Sequence, residues 1–479
     1  MSQRKQRLPG NRVVRRRLDA RSVIELEPDT PHTSKPTVTF HAKLFVGAVL
    51  LIFIFGAGML MLPWASEEGQ DVSLVDAMFT AVSAFSVTGL NTVDPQTQWS
   101  FFGELVVLTL IQFGGFGFMA GTSLILIALG RGSSLRANMM MQDGSPTMTL
   151  RDASQLSIKI VKFIVVVEVI GAIILTLHFM RYEDLGVAIW WGIFHSISSF
   201  CNAGFDLQGN FASMNAHNES PVLLMTVAGL IQFGAISYMV VADLWKQRKW
   251  RPLQLDSKLV LITNFSLIGI TTIIFMIVEW ESSMRNVDTA WKPLNALFQS
   301  IAARTAGLSS VEWNLAHDST MYLWIVIMMI GGAAGSTAGG VKLATIAVVI
   351  MTVSSSIRGQ TEPQAFGRRI APTIAYRALA VITLFMAAHF VLSMMLVISE
   401  DVLNSEDFSF LSLMFEAMSA LATVGLSTGL TPTLSEGGKI VLMLGMFIGR
   451  LGPITLVYAL QNKLRQDRYR FAEATIRIG

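Results

Sequence analysis

The sequence predicts an all-α polytopic membrane protein: four parallel repeats of span, pore helix, filter loop and span, giving eight transmembrane helices around one pseudo-four-fold pore. Three observations predict it. Of 479 residues, 52% are hydrophobic and only 14% charged, whereas soluble domains carry about 25% charged residues. The apolar runs 44–62, 105–129, 158–177 and 379–398 are each long enough as helix to cross a hydrocarbon core of about 30 Å. Between such runs one pattern recurs four times: FTAVSAFSVTG over 79–89, FHSISSFCNAG over 194–204, FQSIAARTAG over 298–307 and FEAMSALATVG over 415–425.

Taken in order, residues 1–40 form a basic tail carrying Arg4, Lys5, Arg7, Arg12, Arg15, Arg16, Arg17 and Arg21. Its Asp19, Glu25, Glu27 and Asp29 and the length of the apolar run that follows argue against a cleaved targeting signal. The repeats occupy 41–131, 152–248, 257–357 and 372–463, followed by a tail over 464–479. Further basic clusters are Arg131/Arg136/Arg151, Lys246/Arg248/Lys249/Arg251, Arg358/Arg368/Arg369 and Lys463/Arg465/Arg468/Arg470, whereas 64–101 and 401–436 have acids and no Lys or Arg. The excess of basic residues on one set of loops places both termini in the cytoplasm and the acid-lined loops outside. Trp64, Trp99, Trp190, Trp191 and Trp280 fall near span ends and read as interfacial anchors.

Within each repeat a half-helix, expected over 75–86, 187–199, 291–303 and 408–421, leads into a glycine turn. A dehydrated cation needs a ring of oxygens, which backbone carbonyls supply without formal charge. Aiming them along one axis needs backbone angles that glycine adopts at least cost. The candidate ion-binding residues are therefore Val87, Thr88 and Gly89; Asn202, Ala203 and Gly204; Thr305, Ala306 and Gly307; and Thr423, Val424 and Gly425. The half-helices would aim their partly negative C-terminal ends at the same point, which favours cations.

The second spans also repeat, with glycines at 114, 234, 331 and 449 and then Gly115, Ala235, Gly332 and Arg450. A full charge inside a span costs a few kcal/mol and is functional by default. In the third repeat, Gly331, Gly332, Gly335, Ser336, Thr337, Gly339 and Gly340 interrupt the span. Broken backbone at that depth persists only beside a cavity or within protein, so 331–342 is either a kink or a loop under the filter. Lys342 reads as an anchor at the inner leaflet, with a second cationic barrier as the alternative. Arg450 reads as a cationic barrier below the filter, with a structural partner for an acid or for loop carbonyls as the alternative. Arg304 precedes the third turn, where a free cation would repel the permeant ion, and is expected to turn away and pair with Glu416 as filter support. His195 reads as packing.

These segments, above all ARTAGL over 303–308, NAGFD over 202–206, GGAAGSTAGGVK over 331–342 and MFIGRLGP over 446–453, make the chain resemble the membrane subunits of the Trk/Ktr/HKT superfamily of potassium transporters, the Ktr type (KtrB-like) in particular. The resemblance covers about 41–463. It implies a homodimer in a bacterial inner membrane, a mobile gating loop over 331–342 and a cytoplasmic RCK/KtrA-like nucleotide-binding ring as regulator. In that superfamily glycine at all four filter positions goes with K+ and serine in the first with Na+, so Gly89 favours K+ as permeant ion; a sodium-preferring or sodium-coupled transporter is the alternative. Arg131, Lys249, Arg369 and the 465–470 tail suit docking of such a regulator, though topology alone also accounts for them. No metalloprotease, serine–histidine or paired-aspartate motif and no GxxxxGK[ST] loop occurs, so neither an enzyme nor a nucleotide site on this chain is expected, nor a nucleic-acid partner.

Overall fold

The structure, a computed structural model, describes residues 38–68, 70–117, 150–360, 362–403 and 408–452. Most of the basic N-terminal tail, the C-terminal tail, and Arg131, Arg136, Lys463, Arg465, Arg468 and Arg470 lie outside the described residues.

The described chain is helical in the expected order. A long apolar helix, a shorter helix and a third helix recur as Val38–Leu60, Leu74–Ser86 and Phe101–Gly117; Leu150–Phe179, Leu185–Cys201 and Pro221–Ala235; Leu255–Val278, Lys292–Ala302 and Asp318–Met328; and Pro372–Leu403, Phe410–Leu421 and Glu436–Leu451. The short helices match the expected half-helices to within two residues at each end. Three of the long helices, Ser157–Phe179, Leu255–Val278 and Pro372–Val402, are long and apolar enough to cross a membrane. Two third helices are interrupted. Pro221–Ala235 meets Tyr238–Gln247 at 94°, and the chain leaves Asp318–Met328 through the glycine-rich stretch before restarting as Leu343–Ile357. One exception to the all-α expectation is a two-residue hairpin pairing Gln364 with Arg369 and Ala365 with Arg368.

The polarity of the spans is inside out. Val166, Ile170, Ile173, Phe265, Ile273, Ile277 and Phe390 are exposed, while Glu168, Asn264, Thr271, His389 and Ser393 on the same three helices are buried. A helix facing lipid needs an apolar exterior, and its polar residues find partners only in the protein interior.

Local chemistry starts the helices where the sequence places them. Ser73 accepts from the Asp76 amide, Ser220 from Leu223 with Pro221 in the first turn, and Ser435 from Gly438, each satisfying an amide that has no intrahelical acceptor. The last helix, Glu436–Leu451, returns to pack against the first short helix, Leu74–Ser86. Lys439 Nζ lies 2.9 Å from Asp76 Oδ1 across that contact, so the last described helix is tied to the first short one. Of the tryptophans expected at span ends, Trp64 is exposed but Trp99 is buried, tied back by a bridge to Ser66.

Candidate functional site

Each short helix leads into a residue in left-handed conformation: Val87 (φ 57°) and Asn202 (59°) directly cap the first two, and Thr305 (65°) and Thr423 (51°) follow the right-handed caps Ala303 and Ala422 of the other two by two residues and one. Two residues on, the glycines are left-handed as well: Gly89 (95°), Gly204 (72°), Gly307 (70°) and Gly425 (92°). Positive φ in β-branched Val87, Thr305 and Thr423 is strained by about 1–3 kcal/mol each and persists only where surroundings enforce it. In three turns the enforcement is a paired hydrogen-bond cap of the kind that ends helices at left-handed residues. Val87 N donates to Ala84 O and Thr88 N to Ser83 O; Asn202 N to Ser199 O and Ala203 N to Ser198 O; Thr423 N to Ala420 O and Val424 N to Ser419 O. The third turn departs, with Ala306 N and Gly307 N both donating to Ala302 O.

A serine six residues before the glycine finishes the first and fourth turns. Gly89 N donates to Ser83 Oγ and Gly425 N to Ser419 Oγ, each at 3.1 Å. In the second turn Ser198 Oγ donates instead to Phe205 O at 2.6 Å. The third repeat has Ile301 at this position, in the one turn whose cap differs. The serine was overlooked in the sequence, although its recurrence at one offset in three of four segments was a usable signal.

The four turns meet. A Cβ on Gly89 would lie 2.4 Å from Ala203 O, one on Gly204 3.1 Å from Ala306 O, one on Gly307 2.5 Å from Val424 O and one on Gly425 2.0 Å from Thr88 O. Each glycine thus abuts the carbonyl preceding the next turn's glycine, and the sequence of contacts returns to its start. The side chains turn away: Asn202, with its amide oriented to suit its neighbours, donates to Ser199 O (3.1 Å) and Ile231 O (3.2 Å), and Thr88 Oγ1 lies 2.7 Å from Ser86 Oγ. Two hydroxyls, Thr305 Oγ1 and Thr423 Oγ1, are buried without a partner. A buried orphan oxygen is costly unless something occupies the space beside it.

Beneath the turns, on the helix-end side, the third helices press glycines against carbonyls. A Cβ on Gly114 would fall 2.0 Å from Phe85 O, on Gly234 1.9 Å from Phe200 O, and on Gly449 1.9 Å from Leu421 O. At the fourth such position Gly331 meets Gly339 O of its own glycine-rich stretch. That stretch runs from one turn to another. Ala333 N donates to Ala235 O (2.9 Å) and Thr337 N to Gly234 O (3.2 Å), while Thr337 Oγ1 donates to Phe200 O (3.2 Å). At its far end a Cβ on Gly339 would sit 2.0 Å from the orphan Thr423 Oγ1. Gly335 (φ 77°) and Gly340 (59°) supply left-handed corners, Ser336 Oγ donates to Ala333 O at 2.7 Å, and Gly332 N-flanking backbone is pinned through its carbonyl, which accepts from Leu343 N at 3.0 Å.

Arg450 latches this loop. Its guanidinium donates to Thr337 O at 2.9 Å and to Gly114 O, tying the loop to the helix after the first turn. These carbonyl partners are those of the structural alternative raised from the sequence. Lys342 Nζ donates to Ala338 O (2.6 Å) and Gly339 O (3.3 Å), so it braces the loop rather than reaching toward a membrane surface.

The pairing expected between Arg304 and Glu416 is not made. Arg304 is buried and donates to Asn264 Oδ1, and Asn264 in turn donates to Gln232 Oε1 at 2.9 Å. Glu416 instead accepts from Ser427 Oγ (2.7 Å), Thr428 N (2.8 Å), Thr428 Oγ1 (3.1 Å) and Thr431 Oγ1 (2.8 Å). Four donors within reach in its own chain segment satisfy the carboxylate locally, and a neutral amide is what the neighbouring helix offers the arginine. Cys201, three residues before its glycine like Arg304, has the matching neighbours: its thiol lies 3.6 Å from Gln112 Oε1 and 4.0 Å from Glu168 Oε1. His195 holds the chain after the second turn, since Leu207 N donates to its Nε2 (3.2 Å) while Nδ1 faces Trp191 O (2.7 Å).

On the opposite side of the turns, beyond the glycines, Asp206 accepts from Gln208 N at 3.1 Å. Asp94 accepts from Asn210 N (3.0 Å) and Phe211 N (3.3 Å). Burial pushes the Asp206 carboxyl up to about 6, with the Gln208 amide opposing and the Asp94 charge adding to the rise.

Among the described residues no group of His, Cys, Asp or Glu is placed to hold a metal ion; the four turns bring backbone carbonyls together. A family model, TrkH, described as a cation transport protein, matches residues 55–470. The potassium/sodium uptake protein NtpJ of Enterococcus hirae is 34% identical over 91% of this chain and 97% of its own length. The Ktr system potassium uptake protein B of Bacillus subtilis is 33% identical over 91% of this chain and 96% of its own. Among solved structures, the potassium transporter TrkH from Vibrio parahaemolyticus matches with a TM-score of 0.69 and 18% identity, over 91% of this chain and 87% of that one.

Proposed function

The chain belongs to the TrkH family of cation transport proteins, and on that premise we propose that its four turns are the selectivity filter of a gated potassium uptake pore. The closed series of glycine-to-carbonyl contacts carries the reading. Four left-handed turns in mutual contact set backbone oxygens around one axis, and the short helices end there with their partly negative poles. A potassium ion would exchange its water for the carbonyls of Val87, Thr88, Asn202, Ala203, Thr305, Ala306, Thr423 and Val424, with the orphan hydroxyls of Thr305 and Thr423 as further donors of lone pairs.

In the same reading the chain forms four parallel repeats and eight spans. The shorter apolar helices, such as Phe101–Phe116 and Asp318–Met328 with Leu343–Ile357, complete the count, because interrupted backbone is tolerated where it borders a cavity. The loop over 331–342 then closes the inner mouth, fastened by Arg450 to Thr337 O and Gly114 O and spanning from Phe200 to Thr423. Opening requires it to leave those contacts, and the positive charge of Arg450 beside the path raises the barrier while it stays. The regulator we expect is a cytoplasmic RCK/KtrA-like ring that binds nucleotide and acts on a homodimer of this chain in a bacterial inner membrane, with both termini on the cytoplasmic side. Of the docking residues expected for it, Lys249 is exposed and Arg369 is engaged with Glu362.

Sodium as a carried ion has one specific observation in its favour, the relative named for both potassium and sodium uptake. Flux of K+, Rb+ and Na+ in proteoliposomes of purified protein decides between them, and growth of a potassium-uptake-deficient cell is the cheaper screen. K+ and Rb+ should pass in preference to Na+; robust Na+ flux without rescue of growth reverses the choice of ion.

A further inference from the structure

Where helix Pro221–Ala235 bends by 94° into Tyr238–Gln247, it leaves a cleft of about 690 Å³ against helix Leu255–Val278, lined by Phe233, Leu244, Trp250, Ile262 and Phe265 among others. The walls are almost wholly apolar. Gly229 also lines it, and a Cβ there would meet nothing within 4 Å. The end of helix Tyr238–Gln247 and the turn after it carry Lys246, Arg248, Lys249 and Arg251, all exposed. None of the ion pairs among the described residues uses them, and the nearby Asp243 carboxylate already accepts from Gln254 N at 2.9 Å.

We propose that this cleft binds an anionic glycerophospholipid, one acyl chain lying against Phe233 and Phe265 and the phosphate meeting the Lys246–Arg251 cluster. An apolar slot between helices with a cationic rim matches an amphiphile of that charge, since the slot alone would take any acyl chain and the rim alone any anion. The rim is in sequence continuous with the wall: Leu244 and Trp250 line the cleft, and the four cations lie between and immediately beyond them.

The site has a consequence for the proposed pore, and that part rests on the reading above. The wall residue Gln232 has an unpartnered, buried Nε2, while its Oε1 accepts from Asn264, which holds Arg304 beside the third turn. Two residues further along the same wall, the carbonyls of Gly234 and Ala235 receive Thr337 N and Ala333 N of the loop. A lipid filling the cleft braces the helix end to which the loop is bonded, so occupancy biases the loop's equilibrium.

The test is native mass spectrometry of the full-length protein from nanodiscs of phosphatidylglycerol or phosphatidylcholine, paired with K+ flux in liposomes of the same lipids. Wild type should retain phosphatidylglycerol over phosphatidylcholine. Gly229→Phe, which fills the cleft without a backbone clash, should abolish that retention, and the double change Lys249→Gln with Arg251→Gln should weaken it about thirtyfold. Flux should differ between the two lipids in wild type and become indifferent to them in Gly229→Phe. Equal retention of both lipids, or unchanged retention in Gly229→Phe, overturns the site. So does competition of the basic cluster by inorganic phosphate or a cytosolic protein with lipid retention unaffected. If no ion flux is found at all, the pore reading fails while the retention measurement still decides the lipid site.

Discussion

Alanine in place of each turn glycine should damage the four turns unequally, least at Gly204. The strain has two parts. Left-handed backbone costs a residue with a Cβ about 1–2 kcal/mol, and the allowed region for such residues extends to φ of about 70°. Gly204 and Gly307, at 72° and 70°, lie at its edge, whereas Gly89 and Gly425, at 95° and 92°, lie beyond it. The second part is contact. Ordinary Cβ contact begins at 3.4 Å, so Ala at 425 must displace Thr88 O by about 1.4 Å from its 2.0 Å approach, and Ala at 204 must displace Ala306 O by only about 0.3 Å from 3.1 Å. A carbonyl moved by more than an ångström no longer replaces a water of the ion's shell. The expected order of damage is Gly425→Ala and Gly89→Ala, then Gly307→Ala, then Gly204→Ala. K+ flux should fall by at least tenfold in the first two and by severalfold at most in the last, with K+/Na+ preference lost in the same order. Thermal stability of each variant in detergent separates misfolding from a damaged filter. Equal losses at all four positions, or Gly204→Ala as the most damaging, would refute the carbonyl-ring argument.

Removing the latch with Arg450→Ala deletes two charged hydrogen bonds, one to the loop at Thr337 O and one to Gly114 O on the helix it is tied to, worth about 1.5–3 kcal/mol each; basal K+ flux without any cytosolic regulator should rise, and unchanged or lower flux counts against a gate held by Arg450. Replacing Asn264 with Leu strands the buried Arg304 guanidinium, at a cost of about 3–5 kcal/mol by analogy with a broken buried pair; the melting temperature should drop sharply, and Asn264→Asp should restore much of it. The Asp206 carboxyl, raised to about 6, is held more tightly by protons in the folded than in the unfolded protein. Its contribution to stability is therefore greatest near pH 4 and is lost as the pH rises through about 6, and Asp206→Asn should flatten that segment of the stability profile. If the proposed pore reading holds, with Asp206 on its outer side, protonation removes an anion beside the ion path, so K+ uptake should decline as external pH falls through about 6 in wild type and lose that step in Asp206→Asn.

Legibility in the sequence followed the range of the forces involved. The short helices were readable to within two residues because their limits are local: a serine cap before Leu74, a proline in the first turn at Pro293, a left-handed residue at Val87. The glycine positions were readable for the same reason, since a backbone angle is a property of one residue. Partners of buried charges were not. Glu416 looked available to Arg304 from chain order, yet Ser427, Thr428 and Thr431 fold back onto it, and Arg304 finds Asn264 on another helix. Trp99, which resembles an interfacial anchor in a linear reading, is buried because the loop around it doubles back onto Ser66.

By itself the sequence determined that this chain is a membrane-embedded helical protein with a glycine turn recurring between apolar spans, because hydropathy and backbone preference are written residue by residue. Tertiary structure alone decided that Gly425 packs on Thr88 and so closes the series begun at Gly89, and that Arg450 reaches both Thr337 and Gly114. Those contacts join residues hundreds of positions apart, and their geometry is fixed by the packing of helices around a common centre, which no local stretch of chain encodes.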